Sequence, residues 1–169
     1  SIHIWKEVPY EVNFAYPNNV NVGHNDMAFN VTRINTNKPI ANAQVCVTGQ
    51  NVFATGYTNA SGIVIIPVTL PTQQSLKVTV RGGNVIPVQG VIQVQQPLEL
   101  VEPEGVPEIT DFNGNNDGLA NPNETCNIAF TLKNWGSVAA NNVQGTISSS
   151  DQFVEVLTTE PVSFGTIAP

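Results

Sequence analysis

The sequence predicts an all-β protein, and three observations carry that reading. Apolar residues recur at every second position in short runs, the pattern of half-buried strands. Clusters of Gly, Asn and Pro separate these runs, and the 169 residues include 13 Gly and 12 Pro. Only 11% of residues are charged, a composition unlike that of a coiled coil, a helical bundle or a disordered tail.

Taken in order, Val12, Phe14 and Tyr16 alternate with Glu11, Asn13 and Ala15. Phe29 and Val31 alternate with Ala28, Asn30 and Thr32, and Ala43, Val45 and Val47 alternate with Gln44, Cys46 and Thr48. Four further runs cover 52–58, 63–70, 76–80 and 85–94. The turns between them fall at 37–39, 48–51, 59–62, 70–72 and 81–84, where Gly and Asn supply positive φ and Pro presets the chain direction. Pro67 and Pro87 cannot donate ladder hydrogen bonds, so their strands are expected at sheet edges or bulges. About seven short strands at this spacing predict an immunoglobulin-like sandwich.

Residues 1–96 carry five basic and three acidic side chains, whereas the remainder carries Lys133 against ten acids. The break coincides with a Pro- and Glu-rich stretch, so 1–96 is read as one Ig-like domain and 97–106 as a stiff, solvated linker. Residues 107–169 are read as a second Ig-like domain, with strands expected at 108–112, 126–133, 143–149, 153–157 and 162–167. Cys126, Ile128, Phe130 and Leu132 share one apolar face there. Five strands fall short of the roughly seven in a full sandwich, so this domain is expected to be incomplete at its C-terminal side. The net charge of −7 argues against an electrostatic nucleic-acid binder. No apolar run approaches the ~20 residues needed to span a bilayer, and no membrane insertion is expected.

One stretch carries recognisable chemistry. Counted from Asn113, oxygen-bearing side chains fall at loop positions 1, 3, 5 and 9 (Asn113, Asn115, Asp117, Asn121), with Gly118 at position 6 and Glu124 at position 12. Leu119, at position 7, offers its backbone carbonyl. This is the twelve-residue calcium-loop spacing with Asn in place of Asp at its head. Calcium is a hard cation that takes about 6–8 oxygens, and Asp111 stands ready to add a carboxylate. With few formal charges, binding is expected in the ~10⁻⁴–10⁻³ M range of extracellular modules. The same residues also suit a plain polar hairpin turn, because Asn-Gly and Asp-Gly are strong turn formers.

Other constellations are weaker. Cys46 and Cys126 with His3 and His24 assemble no Cys-His dyad by spacing, and Cys126 on an apolar face reads as a small hydrophobe. The two cysteines fall in different expected domains, so no bridge between them is expected. Trp5, Tyr10, Phe14 and Tyr16 suit core or seam packing better than a ligand platform. His24 and Asp26 lie in an expected exposed turn without further ligands. The Asn-Val-Thr, Asn-Ala-Ser and Asn-Glu-Thr triplets at 30, 59 and 123 match the glycosylation acceptor only by pattern.

Residues 41–48, 54–68 and 76–80, reading ANAQVCVT, ATGYTNASGIVIIPV and LKVTV, resemble the Ig-like module that follows the catalytic domain in gingipain-type cysteine peptidases. The opening SIHIW is similar to the end of that catalytic domain. From Pro107 onward, DFNGNNDGLANPNE followed by IAFTLKNWG resembles cell-adhesion-related (CARDB-like) Ig-like domains of bacteria. The resemblance implies a non-catalytic segment of a larger secreted or cell-surface bacterial protein. Its partners would be an upstream catalytic domain and a downstream sorting or anchoring domain of the same polypeptide. The catalytic His and Cys of such an enzyme would lie upstream. Two function classes follow: a structural spacer braced by a calcium loop, or an adhesin-type module recognising a protein or glycan.

Overall fold

The computed structural model describes residues 8–82, 84–115 and 117–169, and it is all β, with twelve strands and no helix among those residues. His3, Trp5, the motif at 1–5 and Asn116 lie outside the described residues. The chain divides into two compact units, residues 1–96 and 97–169.

The first unit is an Ig-like sandwich. Strands β1 (Val12–Ala15), β3 (Gly23–Arg33) and β6 (Ile63–Leu70) form one sheet in the order β1-β3-β6. Strands β2 (Asn19–Asn21), β4 (Gln44–Gly49), β5 (Val52–Tyr57), β7 (Ser75–Gly82) and β8 (Val85–Gln95) form the other, in the order β2-β8-β7-β4-β5. Alternation decides which residues face inward. In β6, Val64, Ile66, Val68 and Leu70 are buried while Ile63, Ile65, Pro67 and Thr69 are exposed. They meet Met27, Phe29 and Val31 of β3 and the inner residues of the opposite sheet, among them Val45, Val47, Leu76, Val78, Val80 and Ile92, all buried. Such side chains each contribute about 1.5–3 kcal/mol when fully buried.

The prolines behave as their missing N–H requires. Pro67 lies in the edge strand β6, opposite Asp26. Pro87 lies where the β7–β8 register shifts between Val80 and Gly82. The aromatic cluster packs: the Phe14 ring stands 5.1 Å from Tyr16 and 6.0 Å from Phe29. A Cβ at Gly90 would meet the Tyr16 ring, so glycine there makes room for it. Arg33 stacks its guanidinium 3.5 Å from the Tyr10 ring centroid.

Two differences from the sequence reading fall in this unit. Strand β2, Asn-Val-Asn, has too little apolar character to be predicted, and it forms by parallel pairing with β8 at 93–95. The stretch around His24 is strand rather than turn: Gly23, at φ 95°, opens β3, and His24 and Asp26 both lie within it, exposed.

The second unit consists of two antiparallel ribbons. Strand β9 (Val101–Asp111) pairs with β10 (Cys126–Asn134), and β11 (Ala140–Gly145) pairs with β12 (Val162–Ile167). Residues 101–106, expected as linker, therefore belong to a strand. The reason is that β9 has a free edge among the described residues, where Pro103 needs no ladder donor, and Glu104 pairs with Lys133 of β10 at 3.1 Å. Gly105, at φ 76°, and its neighbours fill the register shift opposite Phe130. Residues 153–157 are apolar in part but form no strand, and 146–149 are likewise not strand.

Polar side chains do much of the holding here. Asn134 is buried. Its amide donates to the Val138 carbonyl at 2.8 Å and the Ile167 carbonyl at 3.0 Å, and its oxygen accepts from the Gly136 N–H at 2.8 Å. One side chain thus ties the end of β10, the following turn and the end of β12 together. Gly136 is required beside it, because a Cβ there would strike the backbone of Leu98 and Glu99.

Candidate metal centre

The loop 112–125 joins β9 to β10, and antiparallel register brings its two ends side by side. Asp111 stands directly opposite Cys126. The Phe112 N–H donates to the Thr125 carbonyl at 2.8 Å and carries the ladder one step further. Directly opposed residues share a face of a sheet, and residues two apart on one strand share it as well. Glu124 is therefore brought to the same side as Cys126 and Asp111. One ligand atom from each of these three residues lies within 4.8 Å of the other two.

Within the loop, side chains fold the backbone back on itself. The Asn115 oxygen accepts from the Asp117 N–H at 3.1 Å, and Asp117 Oδ1 accepts from the Leu119 N–H at 2.9 Å, two successive Asx turns. The Asn115 amide donates to Asp117 Oδ2 at 2.9 Å, and the Asn121 amide reaches Asp117 at 3.4 Å. Glu124 spans the loop, with Oε1 accepting from the Asn115 N–H at 3.3 Å and Oε2 from the Asn121 N–H at 2.9 Å. Asn113 is turned to the loop base, its oxygen accepting from the Thr125 N–H at 2.7 Å. Gly118 sits at φ 76° where the chain reverses. Gly114 leaves the space that the Glu124 carboxylate occupies, for a Cβ there would collide with it.

Of the seven sequence-predicted ligands, Asn115, Asp117, Asn121 and Glu124 are joined in one hydrogen-bonded network, and Asp111 and Glu124 converge at its base. Asn113 is engaged with the backbone of Thr125. Leu119 contributes its N–H to Asp117 while its side chain lies 61% exposed.

Asp111 is the anomaly of the site. It is only 8% exposed, and neither carboxylate oxygen has a hydrogen-bond partner. An unpaired carboxylate withdrawn from water is costly, by several kcal/mol when it keeps its charge. A divalent cation between Asp111 and Glu124 would offset that cost, so the residues present fit an ion. The hydrogen bond from the Leu119 N–H, assisted by the Asn115 amide, holds the Asp117 carboxyl below the usual carboxylate range. The Cys126 thiol is pushed up by desolvation and by the negative charges of Asp111, Glu124 and Asp117. By sequence alone Cys126 reads as a small hydrophobe. The signal that places it at the site is its period-two spacing from Glu124 together with the pairing register, which the sequence alone does not supply.

No family model matches the sequence. No curated protein matches it either. Among solved structures, it is similar to a chain described only as a protease, with a TM-score of 0.45 and 21% identity over 56% of this chain. It is also similar to the Arg-specific cysteine proteinase gingipain R (RGPB), with a TM-score of 0.43 and 18% identity over 52% of this chain. The aligned region spans 20% and 19% of those chains, respectively.

Proposed function

We propose that the chain is a non-catalytic structural segment of a secreted or surface cysteine peptidase of gingipain type, and that its 111–124 loop holds a structural calcium ion. In this reading the two β units brace or space neighbouring domains of the same polypeptide. The observation that carries the calcium assignment is Asp111, a buried carboxylate with both oxygens unpartnered beside the Glu124 carboxylate. Asp111, Asp117 and Glu124 supply the charge, and Asn113, Asn115, Asn121 and the Leu119 carbonyl supply the remaining oxygens in the calcium-loop spacing. The peptidase context rests on the likeness of residues 41–80 to the module described above.

Thermal unfolding with calcium and with excess chelator tests the ion. The melting temperature of the second unit should rise with calcium concentration, as ligand linkage requires, and identical melts would refute the assignment. The encoded sequence upstream of Ser1 tests the context. A cysteine peptidase domain ending there supports the spacer role, whereas an array of surface repeats would favour adhesion.

A further inference from the structure

We infer that the base of the loop is also a mixed carboxylate and thiolate site for a zinc-class divalent cation, held by Asp111, Glu124 and Cys126. The inference shares two residues with the calcium reading but stands without it, because it turns on sulfur.

Register makes Asp111 and Cys126 direct neighbours across β9 and β10, and the end of the loop brings Glu124 beside them. The three ligand atoms already lie within 4.8 Å of one another. Zinc-class ions bind thiolate at about 2.3 Å and carboxylate at about 2.0–2.2 Å in tetrahedral geometry. Ligand atoms at those bond lengths stand roughly 3.3–3.7 Å apart, a contraction within reach of side-chain rotation. The second observation is independent of the clustering: Asp111 is more than nine-tenths buried and both its oxygens lack partners. Three protein ligands leave the fourth tetrahedral position to water.

Sulfur sets the chemical class. Calcium takes oxygen ligands, so Cys126 adds nothing to it, whereas thiolate favours softer, borderline ions such as zinc. On binding, the S–H bond of Cys126 breaks, its proton passes to solvent and the sulfur electron pair forms the bond to the metal. No electron is transferred.

Cobalt(II), a spectroscopic stand-in for zinc, tests this on the full chain in a thiol-free buffer. Wild type and Cys46→Ser should develop a near-ultraviolet thiolate-to-cobalt charge-transfer absorption that saturates, and Cys126→Ser and Asp111→Asn should not. Cys126→Ser should also weaken zinc binding by about tenfold or more while leaving the calcium-dependent melting shift intact. As a check that needs no variant, zinc should protect Cys126 of the wild-type chain from alkylation while Cys46 stays equally reactive with and without metal. Absence of the absorption at saturating cobalt, its survival in Cys126→Ser, or unprotected Cys126 would overturn the inference. A calcium shift without a cobalt band defeats the thiolate site alone, and a cobalt band without a calcium shift defeats the calcium reading alone.

Discussion

Asp111→Asn should change the stability of the second unit in opposite directions with and without calcium. The substitution keeps the shape of the side chain and removes its charge. In chelator the buried carboxylate has no partner to lose, so removing its charge should stabilise the fold by about 1 kcal/mol, the lower end of an unsatisfied group's penalty. With calcium the balance reverses. At ~10 mM calcium and a dissociation constant of ~10⁻⁴–10⁻³ M, linkage stabilises the wild type by about 1.4–2.7 kcal/mol. For a unit the size of residues 97–169, each kcal/mol corresponds to roughly 4–8 °C, so the wild-type shift should be roughly 6–20 °C. Asp111→Asn should lose most of that shift while melting several degrees above wild type in chelator. Calorimetric scans of both proteins in both buffers give the four temperatures needed. A variant that melts below wild type in chelator and keeps its calcium shift would refute the reasoning, because Asp111 would then be a structural group and not a ligand.

Other expectations follow from single side chains. Asn134→Ala removes the acceptor for Gly136 and the donors to Val138 and Ile167, and should cost the second unit about 2–4 kcal/mol in denaturant unfolding. Gly62→Ala forces a Cβ against the Val31 carbonyl at φ 74°, so the first unit should lose about 2–3 kcal/mol and the calcium shift of the second should not move. Thr58 is buried, and its hydroxyl donates to the Ile40 carbonyl at 2.6 Å and accepts from the Ala43 N–H at 3.0 Å. Thr58→Val should cost about 1–3 kcal/mol in the same assay, and a neutral result would show that these two hydrogen bonds add no net stability.

The fold was legible wherever one face of a strand is buried. Alternation at Phe29 and Val31 of β3 and at Val45 and Val47 of β4 marks inward residues, because a single-residue slip would expose the whole apolar set. It fails where pairing, not burial, makes the strand. Strand β2 has a single apolar residue and exists by its pairing with β8, and β9 is rich in Pro and Glu because its outer edge meets solvent. The opposite error arises at 153–157, where four of five residues are apolar but no partner strand pairs with them. For the candidate site, the oxygen spacing from Asn113 to Glu124 is a local pattern and could be read directly. The burial of Asp111 and the arrival of Cys126 beside it depend on the register between β9 and β10, a long-range property that no local pattern carries.

The most direct test of the central claim is an amide-resolved NMR titration of the full chain with calcium. Saturable shifts confined to residues 111–126, with a midpoint at ~10⁻⁴–10⁻³ M, are the predicted result. Amides of that loop that stay unmoved at ~10 mM calcium, well above the expected midpoint, or shifts that saturate only elsewhere in the chain, would contradict it.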